Sequence, residues 1–119
     1  MATLEELREA YAEWRGRSNG NPRLTKMVRG WDRVIQFRTT DNGLGFSMRV
    51  ENQELSDLHT GPIEECDVVV TGTSEDFCDM FWGDLNPSEK YMSGEITLQG
   101  SQEDVMRIDA ISMVAFLDT

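Results

Sequence analysis

Near the amino terminus the apolar residues recur every three or four positions. Leu4, Leu7, Tyr11 and Trp14 fall on one stripe of a helix. Thr3, with Glu6 three residues on, predicts a capping box at its start. Glu5 and Glu6 sit at its positive end and Arg15 and Arg17 at its negative end, as the helix dipole favours. Gly16 to Pro22 reads as a break, and a short second helix is expected from Pro22 towards Arg29, with proline in the first turn where its missing N–H is harmless. The period then falls to two. A strand is predicted from Trp31 to Thr39 with Ile35 and Phe37 on one face, and Asp41-Asn42-Gly43 signals a hairpin. In the return strand Phe46, Met48 and Val50 alternate with Ser47, Arg49 and Glu51, the pattern of one buried and one wet face.

A third, weaker strand is expected over 54–59, ended by Gly61-Pro62, and the β-branched run from Cys66 to Thr71 reads as a central strand. Thr73 with Asp76 predicts a second capping box, opening a helix with Phe77, Met80 and Phe81 on one face; Gly83 and Asn86-Pro87 stop it. A further helical turn is expected over 88–93. Glu95 to Gln99 alternates again, with Ile96 and Leu98 inward. Ser101 and Asp104 make a third capping box, and the last helix runs from about Gln102 to about Leu117. Helices at both ends with strands between them predict an α+β domain whose mostly antiparallel sheet has one face covered by helices.

The 119 residues suffice for one core, so a single domain spanning 1–119 is expected. A net charge of −11 argues against nucleic acid and anionic lipid surfaces as partners. The bland meaning of that charge is solubility. No apolar run approaches the roughly 20 residues that would span a bilayer, so stable membrane insertion is not expected. The amino terminus lacks the features of a signal peptide and the carboxyl terminus any peroxisomal tripeptide, which makes the cytoplasm the expected address. Cys66 and Cys78 form neither a redox pair nor a metal pattern; two free thiols are expected, with a disulfide left open.

Catalytic chemistry is thin. His59 is the one histidine, beside a strand end, and nothing nearby makes a nucleophile–base pair. Glu64, Glu65 and Asp67 cluster before a strand, and Glu103 and Asp104 lie in a helix's first turn; each has a structural explanation, and neither has calcium-loop spacing. No enzyme activity, metal or cofactor is expected. The unusual features are apolar. Seven methionines suit either ordinary core filling or a surface that repacks around varied apolar partners. In the last helix Met106, Ala110, Met113 and Leu117 make one row and Ile108, Ile111 and Ala115 a neighbouring one, with Val114 and Phe116 widening the arc. So apolar a helix must be covered by the sheet, a partner subunit or a bound lipid.

The segment from Cys66 to Phe77, followed by Gly83 to Ser101, resembles the sterol carrier protein 2 family. Gly83, Leu85 and Pro87 match its G-x-[LM]-x-P step. Tyr91-Met92 stands where two aromatics are common, and Gly94, Ile96, Leu98 and Gly100 match its G-x-[LIV]-x-[LIV]-x-G strand. The resemblance covers roughly residues 30–117, leaving 1–29 as amino-terminal helices. It implies a five-stranded sheet covered by helices, with an apolar tunnel for a fatty acid, fatty acyl-CoA, sterol or similar molecule. Carried across by position, Phe37, Phe46 and Met48 would line the tunnel from the sheet. Phe77, Met80, Phe81, Tyr91 and Met92 would line it from the middle helices, and Met106, Ala110 and Met113 from the last, with the Gly100 turn as a hinge for exchange. The chain is acidic and lacks a peroxisomal signal, unlike many eukaryotic carriers. The expected role is thus a non-catalytic lipid carrier. The alternative is an accessory module whose apolar last helix docks on an enzyme of lipid or isoprenoid metabolism.

Overall fold

The first helix, α1 (Leu4–Asn19), begins at the expected capping box: the Thr3 hydroxyl accepts from the Glu6 N–H and the Glu6 carboxylate accepts from the Thr3 N–H. It runs through Gly16 and stops only at Gly20, so the predicted break comes late. The extra turn is kept by tertiary contacts: Ser18 is buried, and the Arg17 Nη2 donates to the Phe81 carbonyl at 2.7 Å. Asn21 then caps α2 (Pro22–Met27).

The chain follows with β1 (Arg33–Thr39), β2 (Gly45–Glu51), β3 (Glu54–Leu55), β4 (His59–Thr60) and β5 (Val68–Gly72). Next come α3 (Ser74–Trp82), α4 (Pro87–Ser93), β6 (Thr97–Gly100) and α5 (Gln102–Leu117). This computed structural model describes residues 1–61 and 65–118; Pro62 of the expected strand stop and Glu64 of the carboxylate cluster lie outside the described residues.

The strands form one sheet in the order β3-β2-β1-β5-β6, with β4 also paired to β2, so the predicted weak third strand is two short pieces along one edge. The sheet is mixed. β1 and β2 pair antiparallel with Phe37 opposite Phe46, but β1 and β5 run parallel, Ile35 opposite Val68 and Phe37 opposite Val70. Local hairpin signals mark antiparallel neighbours only, whereas β5 reaches the far side of β1 by a longer connection. Between β2 and β3 the chain turns through Asn52 and Gln53, with φ of 54° and 63°, the left-handed pair of a two-residue type I′ turn.

One face of the sheet carries the core. Ile35, Phe37, Phe46, Met48, Val50, Val68 and Val70 are all buried on it, against Leu7, Tyr11 and Trp14 of α1 and Phe77, Met80 and Phe81 of α3. The rings of Phe37 and Phe46 stack at 5.2 Å, and Phe77 and Phe81 meet Phe37 edge-on at 5.4 and 5.7 Å.

The last helix packs with the opposite phase to that expected. Ile108, Ile111, Ser112 and Ala115 are buried; Met106 and Leu117 are 63% and 68% exposed, and Ala110 is exposed with them. A polar residue fixes this rotation. Asp104, one turn before Ile108, is buried, and its carboxylate accepts from the Trp31 indole N–H at 2.9 Å and from the Arg33 Nε at 3.1 Å. Burying Asp104 brings Ile108, Ile111 and Ala115 inward with it and turns the methionine row outward.

Candidate functional site: an apolar cavity under the last helix

A narrow cavity of about 20 Å³ lies between the sheet and α5. It has room for roughly one water-sized sphere. Ile35, Phe37, Met48, Val50, Leu55 and Val70 line it from the sheet. Trp14, Met80 and Tyr91 close it from α1, α3 and α4, and Ile108, Ile111 and Ser112 from α5.

Of the residues expected around a tunnel, Phe37, Met48, Met80 and Tyr91 converge here. Phe46, Phe77 and Phe81 belong to the neighbouring aromatic packing. Met113 is half-buried, while Ala110 and Met106 lie on the outer side of α5. Met92 is 89% exposed and points away from the interior. Residues not anticipated are Trp14, Ile35, Val50, Leu55, Val70, Ile108, Ile111 and Ser112. The strand members were readable from alternation, since Ile35 shares a face with Phe37 and Val50 with Met48. Ser112 carried no signal beyond its place beside the Ile108 and Ile111 row.

The lining residues carry two hydroxyls, on Tyr91 and Ser112, and the indole N–H of Trp14. The Tyr91 and Ser112 oxygens are 2.9 Å apart, and Ser112 also donates to the Ile108 carbonyl at 2.8 Å. Burial pushes the Tyr91 phenol up to about 12, so it stays protonated at neutral pH. No Lys, Arg or His is among the residues lining the cavity.

Polar contacts tie α5 to its neighbours. Besides Asp104, the Arg107 Nη1 donates to the Met27 carbonyl at 2.6 Å and Ser88 donates to Asp109 at 3.1 Å. The guanidinium carbons of Arg33 and Arg107 lie 5.5 and 5.6 Å from the centre of the Trp31 ring.

Residues 13–112 match the SCP-2 sterol transfer family. The chain belongs to that family. Hydroxysteroid dehydrogenase-like protein 2 of Danio rerio is 29% identical over 90 residues, which are 75% of this chain but 21% of that protein, so the chain spans about a fifth of this relative's length. Among solved structures, the UbiJ-SCP2 ubiquinone synthesis protein superposes with a TM-score of 0.69 at 13% identity, covering 92% of this chain and 94% of that one. Sterol carrier protein domain 2 of Helicoverpa armigera gives 0.68 at 20% identity, covering 97% and 93%. As an SCP-2 domain the chain has the family's α+β fold, a mixed five-position sheet with helices on one face.

Among the described residues no group of His, Cys, Asp and Glu is placed to hold a metal ion, and no helix is long and apolar enough to cross a membrane. Cys66 and Cys78 are both free thiols. His59 is exposed on the short edge strand β4.

Proposed function

We propose that this SCP-2 domain is a non-catalytic binding domain that takes an apolar lipid between its sheet and α5. The observation that supports this is the composition of the cavity wall: apolar or aromatic side chains from sheet and helices, with one hydroxyl pair. At about 20 Å³ the closed cavity cannot hold an acyl chain, so uptake requires α5 to move outward. Flexible Met48 and Met80 can then repack around the guest. Burial of ten methylenes is worth about 8 kcal/mol at roughly 0.8 each, which leaves room for binding after ordering costs.

The test is organic extraction of freshly purified protein followed by lipid mass spectrometry, with uptake of a fluorescent lipid by three forms. Ile111→Phe fills the cavity and is expected to abolish uptake while circular dichroism stays native. Met106→Trp, on the outer face, is expected to leave uptake unchanged. Uptake undiminished in Ile111→Phe would remove the cavity from the account.

A second reading has its own observation. Met27, Met106 and Ala110 form an exposed apolar groove flanked by Glu103 and Arg107. That surface suits docking on a partner, such as an enzyme of lipid metabolism, and the zebrafish relative carries its matching stretch inside a much longer protein. Loss of a partner's co-purification in Met106→Trp, with lipid uptake intact, would favour this reading.

A further inference from the structure

Charge is unevenly spread along the chain. Residues 22–33 hold the cations Arg23, Lys26, Arg29 and Arg33 against Asp32 alone, a local net charge of +3 in a protein whose total is −11. Arg33 is paired with Asp104. Arg23, Lys26 and Arg29 are exposed, and among the described residues their side chains have no ion-pair partner. In α2, position 23 is a helical neighbour of both 26 and 27, so the first two of these cations border Met27.

Met27 is where α2 meets the outer face of α5. With Met106 and Ala110 it forms the apolar floor of an open groove of about 350 Å³, with Glu103 and Arg107 alongside. Beyond Ala110 the same row continues through half-buried Met113 to exposed Leu117. From Met106 to Leu117 is about 17 Å at 1.5 Å per residue, about three turns of a helix. The two walls are fixed against each other, because the Arg107 Nη1 donates to the Met27 carbonyl at 2.6 Å.

An apolar floor of this length with free cations on its rim fits a rod that is apolar on one side and acidic on its flank. Thioether side chains repack around varied apolar surfaces, so the floor is tolerant and the rim supplies the selection. A helix is about 10–12 Å across, and charges are screened beyond about 8 Å, so a docked helix meets the basic rim and little else. An anionic bilayer is a wide plane that would also face the rest of the chain, whose charge is negative. A second copy of this acidic chain meets the same repulsion.

We propose that the groove between α2 and α5 docks an acidic amphipathic helix of a partner protein, its apolar stripe on Met27, Met106 and Ala110 and its carboxylates against Arg23 and Lys26. This rests on the docking reading of the groove given above and names the chemistry of the partner; it is independent of lipid uptake.

The experiment is fluorescence anisotropy of two labelled peptides of about four turns, titrated with the full chain. Both carry leucine at i, i+3, i+4 and i+7, and their flanks are glutamate in one and lysine in the other. The glutamate peptide is expected to bind about tenfold tighter, the yield of a few exposed ion pairs, although net charge alone would favour the lysine peptide. Arg23→Glu with Lys26→Glu should reverse the preference, and Arg49→Glu, exposed on β2, should leave it unchanged. Met106→Gln should weaken either peptide by about fivefold through lost apolar contact. Lipid uptake should stay at the wild-type level in every variant. Equal binding of the two peptides, or a preference untouched by the double substitution, overturns the acidic assignment and leaves the groove a docking surface provided Met106→Gln still weakens both. Binding of neither peptide, or binding indifferent to Met106→Gln, removes the groove itself. Sedimentation with phosphatidylcholine–phosphatidylglycerol vesicles that is lost in the double variant assigns the cations to a membrane, and self-association lost in Met106→Gln assigns the floor to a second copy; either overturns the proposal. In each case normal lipid uptake leaves the lipid-binding reading standing.

Discussion

Asp104→Asn tests whether one buried carboxylate sets the orientation of α5. Asp104 is 7% exposed and receives the Trp31 N–H at 2.9 Å and the Arg33 Nε at 3.1 Å to each oxygen. Asparagine keeps the shape and one acceptor oxygen, so the Trp31 bond survives. It removes the charge and turns an amide NH₂ towards a guanidinium. A hydrogen bond to a charged group contributes about 1.5–3 kcal/mol. The Arg33 side chain is 32% exposed, so solvent screening places the loss towards the lower part of that range, about 2 kcal/mol. For a domain of this size that is a fall of about 8 °C in Tm. Burial acts to raise the Asp104 pKa, but the hydrogen bonds from Trp31 and Arg33 outweigh it and hold the carboxyl below its usual range. A group with a depressed folded pKa contributes its stability above the unfolded value of about 3.9 and loses it as pH falls through the folded value. Urea unfolding should therefore show the full gap between wild type and variant at pH 7, and a gap that shrinks progressively below about pH 4. A cycle with Arg33→Met should give a coupling of about 1 kcal/mol. A variant within 0.5 kcal/mol of wild type at pH 7, about the noise of such measurements, or a gap indifferent to pH, would refute the role assigned to Asp104.

Two further substitutions probe other parts of the fold. Asp79 has its pKa raised by partial burial and then by the like charges of Asp84, Asp76 and Glu75, so its ionised form costs stability above the unfolded pKa; Asp79→Asn should raise Tm at pH 7 and lose that advantage below about pH 4, read by scanning fluorimetry across pH. A Cβ at Gly100 would stand 2.7 Å from the Asp67 carbonyl oxygen and 3.3 Å from the Val68 Cγ2, so Gly100→Ala should destabilise by about 1–3 kcal/mol in urea, and an unperturbed variant would mean the strand pair yields at little cost.

The sequence made the architecture readable where a signal was local. Capping at Thr3, Thr73 and Ser101 placed three helix starts, and alternation assigned Phe46, Met48 and Val50 to one face. What escaped were decisions taken across the fold. Gly16 is a breaker in isolation, but the α1 face bearing Trp14 and Ser18 has something to pack on, and one exposed glycine costs only about 1 kcal/mol against that. The parallel pairing of β1 with β5 depends on a connection that no turn motif encodes. The phase of α5 escaped because two adjacent apolar rows compete for the interior, and hydrophobicity alone cannot rank them. The deciding residue is Asp104, whose charge suited a helix's first turn so well that it gave no hint of burial. Gly100 similarly suggested a hinge, yet it pairs with Val68 in β6, where close approach to the Asp67 carbonyl is what requires glycine.

The smallness of the empty cavity follows from the energetics of a domain this size and does not conflict with a lipid-sized guest. A standing void costs about 24 cal/mol per Å³, so a lipid-sized space on the order of 300 Å³ would cost roughly 7 kcal/mol. That is comparable to the whole stability of a typical small domain, about 5–15 kcal/mol. For a chain of 119 residues without a disulfide, keeping such a space open would cost much of that stability. Filling the space with side chains, or letting a wall collapse into it, avoids that cost. Here the wall is α5, with Ile108 and Ile111 lining a space of only about 20 Å³ against the sheet. A guest supplies the missing packing itself, so the work of opening is largely offset by the apolar contacts it restores. The outward methionine row gives α5 a second apolar face, and under the proposed lipid uptake the polar ties at Asp104, Arg107 and Asp109 would keep its register while the inner face exchanged side-chain contacts for lipid.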